Sequence, residues 1–234
     1  MTLAVILAGG LGTRLRGTVP DVPKPMAPIR GRPFLEYQLD YWIGKGINRF
    51  VLSVGYRHEV IIDHFGASYR GAELSYAIEH TPLGTGGALL LAVEESAITT
   101  PFLLLNGDTY FEADWKTLKE FSQANDADWC FSLFRANETG RYMGMELSPK
   151  GQIMSLTSGV GYPGRLANGG VYWVAPRALR GDRFSVGEKA SLEDEMLPVA
   201  LASGRRLFGI EFSGTFIDIG APDDYRRAAS LLAV

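Results

Sequence analysis

The first half of the chain alternates between strand-like and helix-like patterns of hydrophobic residues. Residues 3–8 form an uninterrupted apolar run closed by two glycines, which predicts a strand buried on both faces of a parallel sheet. Apolar residues then recur at helical spacing over residues 34–43, with Pro33 at the first turn and Gly44 after the last. The pattern therefore predicts a strand and then a helix at the start of the chain.

This alternation continues to about residue 110. We predict strands at residues 50–54, 74–78 and 102–105, and helices at residues 58–65 and 85–95. Alternating strands and helices are typical of an open, doubly wound α/β sheet. Ligands bind at the carboxyl ends of the strands in such sheets, so the loops after residues 8, 78 and 105 are expected to share one cleft.

The second half of the chain has a less regular pattern. We predict strands at residues 128–134, 145–147, 171–174 and 206–211, and helices at residues 192–202 and 223–232. Glycine-rich connections between these strands favour a partly antiparallel arrangement. No repeat or low-complexity linker interrupts the sequence, so residues 1–234 are interpreted as a single domain without an appended domain of hexapeptide repeats.

Composition limits the class of protein. The formal net charge of −3 does not direct the molecule towards nucleic acid or an acidic membrane surface. No apolar run approaches the roughly 18 residues of a membrane-spanning helix, and the N-terminal run lacks the basic leader of a signal peptide. The single cysteine, Cys130, cannot form an internal disulfide, and the histidines are not clustered with it at zinc-ligand spacing. A reducing, cytoplasmic location is expected.

Candidate chemistry begins at the glycine-rich segment LAGGLGTRL, residues 7–15. Its backbone amides can surround phosphate oxygens, and Arg14 adds a forked cation. The segment has no Gly-Lys-Ser/Thr ending, and Leu15 replaces the third glycine of a dinucleotide fingerprint. It is therefore neither of these two common phosphate loops, and taken alone it is also compatible with a structural strand-loop.

Three further residues carry charges suited to phosphate chemistry. In VPKPM, two prolines fix the backbone on both sides of Lys24 and so orient its ammonium group. The alternative is that Lys24 is only a loop residue, as a lysine between prolines often is. Asp108 follows a predicted buried strand, where a turn-capping role is the alternative. Asp218 stands between two isoleucines, and a buried or strand-end carboxylate of this kind needs a cation.

Taken together, these segments resemble the sugar-phosphate nucleotidyltransferase family. LAGGLGTRL followed about ten residues later by PKP is similar to the family's signature. The segment EHTPLGTGGA, residues 79–88, looks like its base-binding segment, LLLNGDTYF contains its strand-end Gly-Asp pair, and GTFIDIGAPDDY resembles the segment of its second metal-binding aspartate. The similarity runs in order through essentially the whole chain.

The resemblance implies a Rossmann-like nucleotidyltransferase fold with a mixed, mostly parallel central sheet flanked by helices. It implies a nucleotide-binding part at about residues 1–110, a sugar-phosphate-binding part at about residues 111–234, and Mg²⁺ bound by Asp108 and Asp218. Arg14, Lys24 and Asp108 are the implied catalytic residues. The implied nucleotide-binding residues are Leu7, Ala8, Gly9, Gly10, Gly12, Thr13, Arg14, Lys24, Glu79, Pro82, Gly84, Thr85, Gly107 and Asp108.

The sugar side shows one departure from the family. ANGGVY resembles the family's Asn-Gly-Gly segment, which implies that Asn168, Gly169 and the upstream Gly144 lie against the sugar. Glu193 in SLEDE matches a sugar-binding glutamate, with a helix start capped by Ser191 as the equal alternative. The family's Glu-Lys pair before the asparagine is missing. Arg165 is the nearest cation, and we expect it to hold the sugar phosphate.

Glu79 bears on the choice of nucleotide. A carboxylate only accepts hydrogen bonds, and guanine presents two adjacent donors where uracil and thymine present one. Guanine, and hence GTP, is therefore favoured, with UTP or dTTP as alternatives. The opening of the chain and its lack of a long C-terminal extension resemble the short guanylyltransferases of heptose 1-phosphates, with mannose 1-phosphate as the alternative sugar.

Other classes of protein remain as alternatives. A non-catalytic nucleotide-sugar sensor could keep this fold, but the retained charged residues argue against it. A glycosyltransferase is expected to carry Asp-x-Asp, whereas Asp108 is followed by Thr109 and Tyr110. The expected partners are GTP and a sugar 1-phosphate, with neither nucleic acid nor membrane, and the oligomeric state, including a homo-oligomer, is left open.

Overall fold

The computed structural model describes residues 2–10, 22–136, 142–157, 163–181 and 183–232. The helices in these ranges are α1 (Phe34–Gly44), α2 (His58–Phe65), α3 (Gly84–Glu95), α4 (Trp115–Ala124), α5 (Leu197–Ala202) and α6 (Pro222–Leu231). None of these helices is both long enough and apolar enough to cross a membrane. The strands are β1 (Leu3–Leu7), β2 (Pro28–Ile29), β3 (Arg32–Pro33), β4 (Arg49–Val54), β5 (Ser68–Tyr69), β6 (Ala72–Ile78), β7 (Phe102–Asn106), β8 (Thr109–Phe111), β9 (Trp129–Arg135), β10 (Gly144–Leu147), β11 (Ile153–Thr157), β12 (Leu166–Val174), β13 (Leu207–Glu211) and β14 (Phe216–Asp218).

The large sheet is parallel at its centre and has antiparallel pairs towards both edges. Its central strands run in the order β7-β1-β4-β6, and each neighbouring pair among them is parallel. β12 joins β7 in the antiparallel direction, and both β9 and β10 pair with β12. The predicted mixed, mostly parallel sheet is confirmed, and so is antiparallel pairing in the second half.

Two hydrophobic cores cover the two faces of this sheet. Successive side chains of a strand point to opposite faces, and Ala4 and Ile6 of β1 accordingly lie in one core while Val5 lies in the other. The first core includes residues of α1, α2 and α4, and the second includes residues of α3 and α5. Burial on both faces explains the uninterrupted apolar run of β1.

A third, smaller core supports the chemistry-bearing loops. It joins Ile29 of β2, Ile217 of β14 and Ala228 of α6. Phe34 at the start of α1 and Tyr110 of β8 belong to the same core. The segments next to the predicted lysine and the two predicted aspartates are therefore packed against one another.

The helix predicted at residues 192–202 begins differently in the structure. Leu192–Met196 is a single π-helical turn, and the α-helical hydrogen-bonding pattern starts only at Leu197. Pro198 lacks an amide hydrogen, and its ring excludes the carbonyl four residues earlier from normal helix geometry. The backbone amide of Met196 instead donates to the carbonyl of Ser191, five residues back, at 3.0 Å.

Some elements were not predicted from the sequence, and others differ from the prediction in extent. α4 was not predicted, although Asp114 caps it by accepting a hydrogen bond from the backbone amide of Lys116 at 3.1 Å. β12 begins at Leu166, well before the predicted start at residue 171. The Asn-Gly-Gly sequence lies inside β12 as an irregularity, and the register with β9 shifts between Asn168 and Tyr172.

Candidate active site

A cavity of about 440 Å³ lies at the carboxyl ends of β1, β6 and β7. Its lining residues are Leu7, Gly9, Gly10, Lys24, Pro25, Glu79, Pro82, Gly84, Thr85, Ala88, Asn106, Gly107, Asp108, Lys189 and Glu193. The prediction that the loops after these three strands share one cleft is confirmed. A cavity of this size is in the range of small-molecule binding sites.

Backbone contacts hold the ends of β1 and β7 close together under the cavity. The amide of Gly107 donates to the carbonyl of Leu7 at 3.0 Å. A Cβ atom at Gly107 would lie 2.3 Å from that same carbonyl oxygen, a distance that no side chain tolerates. Glycine at this position therefore allows Asp108 to follow β7 directly into the cavity.

The Lys24 ammonium lies between two carboxylates. Its Nζ atom hydrogen-bonds Oδ2 of Asp108 and lies 4.0 Å from Oδ1 of Asp218. The two aspartates are brought together because β8 and β14 pair antiparallel, with Asp218 opposite Thr109. The amide of Ile219 also donates to the carbonyl of Asp108 at 3.0 Å.

Gly220 leaves the space that the ammonium occupies. A Cβ atom there would lie 2.7 Å from both Oδ1 of Asp218 and Nζ of Lys24. The backbone amide of Gly220 donates to Oδ1 of Asp218 at 2.6 Å, which fixes that carboxylate. Sequence reasoning did not single out Gly220, because its importance depends on a lysine almost 200 residues earlier in the chain.

The environment of Asp108 keeps its carboxylate ionised. Burial alone raises the pKa, but the charge and hydrogen bond of Lys24 and the hydroxyl of Thr109 outweigh burial and lower it. The Thr109 hydroxyl donates to Oδ1 of Asp108 at 3.2 Å. Asp108 is therefore negatively charged at neutral pH and can interact with a cation.

The pair of carboxylates fits a divalent cation that is also bound by phosphate. Asp108 and Asp218 already flank one positive charge, and Mg²⁺ typically takes one or two carboxylates together with phosphate oxygens and waters. No group of three or more potential metal-ligating side chains occurs among the described residues. A metal ion held here would complete its coordination from the substrate and solvent.

Glu79 lies at the end of β6 and faces the glycine-rich loop. Its Oε2 atom accepts a hydrogen bond from the backbone amide of Leu83 at 3.1 Å. A Cβ atom at Gly9 would lie 2.1 Å from Oε1, so this close approach requires glycine. Burial raises the pKa of Glu79, and the Leu83 hydrogen bond opposes that rise.

Glu193 enters the cavity from the π-helical turn. The Thr85 hydroxyl donates to Oε2 of Glu193 at 2.7 Å and accepts from the backbone amide of Leu192 at 2.8 Å. Burial raises the pKa of Glu193, against the effect of the Thr85 hydrogen bond. Ser191 also caps this turn by accepting from the amide of Asp194, as the helix-start alternative for SLEDE predicts, and the sugar contact of Glu193 stays a prediction.

The other predicted sugar-side residues do not line the cavity. The Asn168 amide donates to the Tyr172 hydroxyl at 2.7 Å and accepts from the Gly170 amide at 3.1 Å. Gly169 packs against the ring of Phe111, where a Cβ would lie 2.5 Å from ring carbons. These contacts stabilise the irregularity in β12. The Asn168 side chain is thus hydrogen-bonded to other groups of the protein.

Arg165 and Gly144 also lie away from the cavity lining. Arg165 is exposed and pairs with Glu146 at 3.3 Å, while Gly144 begins β10 and lies opposite Ala167 of β12. The sugar contacts predicted for both residues stay predictions. Four residues that line the cavity were not among the predicted site residues: Pro25, Ala88, Asn106 at the last position of β7, and Lys189 shortly before the SLEDE motif.

The predicted nucleotide-binding residues that the structure describes fall around one space. All of them line the cavity except Ala8, which is buried behind the glycine loop. Gly12, Thr13 and Arg14 lie outside the described residues. The cavity thus combines a glycine loop with a lysine that pairs with Asp108 in the lining and with Asp218 just outside it, and this arrangement can position and neutralise phosphate groups.

The chain belongs to the nucleotidyl transferase family, which it matches over residues 3–233. Two relatives are D-glycero-alpha-D-manno-heptose 1-phosphate guanylyltransferases: that of Aneurinibacillus thermoaerophilus is 38% identical, with 96% of each chain covered, and that of Campylobacter jejuni is 36% identical, with 95% of this chain and 96% of the relative covered. The mannose-1-phosphate guanylyltransferase of Mycobacterium tuberculosis is 31% identical over 97% of this chain and 63% of its own length.

A solved structure agrees with the sequence comparison. HddC from Yersinia pseudotuberculosis is 33% identical, with a TM-score of 0.84 and coverage of 98% of this chain and 99% of that chain. The same protein has been crystallised in a complex with GMP-PN. The predicted fold and family are confirmed.

Proposed function

We propose that the protein transfers GMP from GTP to D-glycero-D-manno-heptose 1-phosphate, giving a GDP-heptose and pyrophosphate. The observation that carries the proposal is the Lys24 ammonium held between Asp108 and Asp218 beside a glycine loop. Support for guanine and heptose comes from two relatives of nearly equal length and from the structure solved with GMP-PN. The reaction is assigned to the cytoplasm and its product to surface-polysaccharide synthesis.

The proposed reaction joins two anions. An oxygen of the sugar phosphate attacks the α-phosphorus of GTP, and the bond from that phosphorus to the oxygen bridging to the β-phosphorus breaks. Pyrophosphate leaves with the electron pair of that bond. Because like charges approach each other, the acceleration comes mainly from positioning and charge neutralisation.

The residues around the cavity have distinct tasks in this reaction. The amides of Gly9 and Gly10 and the Lys24 ammonium bind phosphate oxygens, and Arg14, in the same glycine-rich segment of the sequence, adds a second cation. Asp108 and Asp218 would hold Mg²⁺, which when bound supplies charge neutralisation at the phosphates. Lys24 pairs with the same two aspartates that would bind the metal ion. The lysine therefore stays close to the reacting phosphate.

Glu79 is proposed to recognise the base. Its carboxylate keeps lone pairs available after accepting the Leu83 amide, so it can also accept from N1-H and N2-H₂ of guanine. Glu193 is proposed to accept hydrogen bonds from sugar hydroxyls, because its charge would repel a phosphate.

The experiment is a panel of GTP, UTP, dTTP and CTP, each paired with heptose 1-phosphate and with mannose 1-phosphate, with pyrophosphate release as the readout. The pair of GTP and heptose 1-phosphate is expected to give the highest kcat/KM, in a reaction that EDTA stops. A preference for mannose 1-phosphate would mean that the sugar substrate is mannose 1-phosphate, while the proposed type of reaction would still hold. A protein that binds nucleotide sugar but releases no pyrophosphate with any pair would be a non-catalytic sensor.

A further inference from the structure

Among the described residues that line the cavity, one positively charged side chain has no role in the proposed reaction so far. The described lining residues carry the carboxylates of Glu79, Asp108 and Glu193 and the ammonium groups of Lys24 and Lys189. Lys24 is held by the two aspartates that are proposed to bind metal. Since the proposed substrates bring a triphosphate and a second phosphate into the same space, the remaining ammonium, that of Lys189, needs an explanation.

The backbone on both sides of Lys189 is fixed on the first turn of α3. The amides of Gly86 and Gly87 donate to the Ala190 carbonyl at 2.9 and 3.3 Å, and the Ala190 amide donates to the Leu83 carbonyl at 2.9 Å. A Cβ atom at Gly87 would lie 2.4 Å from the carbonyl oxygen of Glu188. The glycines of the GTGG sequence therefore allow this segment to approach closely.

The side chain of Lys189 is exposed at the cavity, in contrast to its fixed backbone. Among the described ranges, no carboxylate lies within 4.0 Å of its ammonium, the distance that defines an ion pair. Arg165, the cation expected from the sequence, is paired with Glu146 and does not line the cavity. Lys189 is thus better placed than Arg165 to meet an anionic ligand.

We propose that Lys189 binds the phosphate of the sugar 1-phosphate, in place of the lysine that the sequence lacks before Asn168. It lies four residues before Glu193 on one segment fixed to α3. A carboxylate accepts from hydroxyls and repels phosphate, whereas an ammonium attracts phosphate. Together the two side chains recognise the two chemically different ends of a sugar phosphate. This inference rests on the proposed function.

The test compares Lys189→Met, Lys189→Arg and Arg165→Ala with the wild type. Lys150→Met is the matched control, because Lys150 is an exposed lysine outside the cavity. We expect Lys189→Met to raise the KM for heptose 1-phosphate about ten- to a hundredfold, the scale of one charge-assisted hydrogen bond, and to leave the KM for GTP within about twofold. Lys189→Arg should retain most of the affinity, and Lys150→Met should match the wild type.

Calorimetry gives a second readout, the Kd for heptose 1-phosphate of each variant saturated with a non-hydrolysable GTP analogue. Thermal melting shows whether each variant is folded. An unchanged KM and Kd for heptose 1-phosphate in Lys189→Met, or an equal rise in the KM for GTP, would overturn the inference. If only Arg165→Ala weakened the sugar phosphate, the arginine would hold it. A wild type that releases no pyrophosphate would instead defeat the proposed function, and the inference with it.

Discussion

At the scale of single residues, the site depends on one ammonium between two carboxylates. Lys24, Asp108 and Asp218 come from three distant parts of the chain, and Gly220 leaves room for their contact. The sequence allowed the three charged residues to be identified, because prolines, a strand end and flanking isoleucines mark them. It did not identify Gly220 or Lys189, because neither has a local pattern that distinguishes it from an ordinary loop residue.

The first prediction concerns the carboxylates. Asp108→Asn and Asp218→Asn each preserve shape and remove one negative charge, so each should lower kcat about a hundred- to a thousandfold, the scale of one preorganised electrostatic contact, with little change in melting temperature. Pyrophosphate release and thermal melting measure the two effects. Full activity in either variant would remove that aspartate from the proposed metal site.

The second prediction concerns base choice at Glu79. In Glu79→Gln, an amide donor faces the N2-H₂ donor of guanine, and this mismatch should cost about 1 to 3 kcal/mol, or roughly a ten- to a hundredfold loss of kcat/KM with GTP. UTP should lose less, because its edge pairs better with an amide. Inosine triphosphate, which lacks the amino group, should already be a poorer substrate of the wild type. An unaltered GTP-to-UTP ratio in the variant would contradict the guanine assignment.

At the scale of elements, the buried parallel strands were the most predictable part of the fold. β1, β4 and β7 are covered on both faces, so continuous apolar runs mark them clearly. The π-helical turn was not foreseen, because the hydrophobic pattern of residues 192–202 does not distinguish a π-helical turn from an α-helix. The early part of β12 was missed because Asn-Gly-Gly is typical of a turn and here forms an irregularity within a strand.

The third prediction concerns the contact between α3 and residues 188–190. Gly87→Ala would place a methyl group 2.4 Å from the carbonyl oxygen of Glu188, so the segment must shift, at a cost of about 1 to 3 kcal/mol of stability. Because the same segment carries Lys189, the KM for the sugar phosphate should rise as well. Denaturant unfolding and steady-state kinetics measure these effects.

Gly44→Ala is the control for this variant. Gly44 is the last residue of α1, and a Cβ atom there would meet no atom within 4 Å. Alanine should therefore be neutral or slightly stabilising at that position. Equal effects of the two substitutions would show that residues 188–190 do not depend on close approach to α3.

At the scale of the whole molecule, both halves of the chain contribute to one cavity. Lys24 and Glu79 come from the part predicted to bind nucleotide, while Glu193 and Lys189 come from the part predicted to bind sugar phosphate. The third core packs β14 and α6 against the start of α1, which brings Asp218 beside Asp108. The division at about residue 110 stays a prediction, and the cavity would lie where the two parts meet.

Transfer of a labelled phosphate tests nucleotidyl transfer most directly. Wild-type protein is incubated with heptose 1-phosphate, Mg²⁺ and GTP labelled at either the α- or the γ-phosphate, with Asp108→Asn as the blank. Nucleotidyl transfer predicts that the α-label appears in a GDP-sugar and the γ-label in pyrophosphate, in equal amounts. Appearance of the γ-label on the sugar, or the absence of any labelled sugar nucleotide, would contradict it.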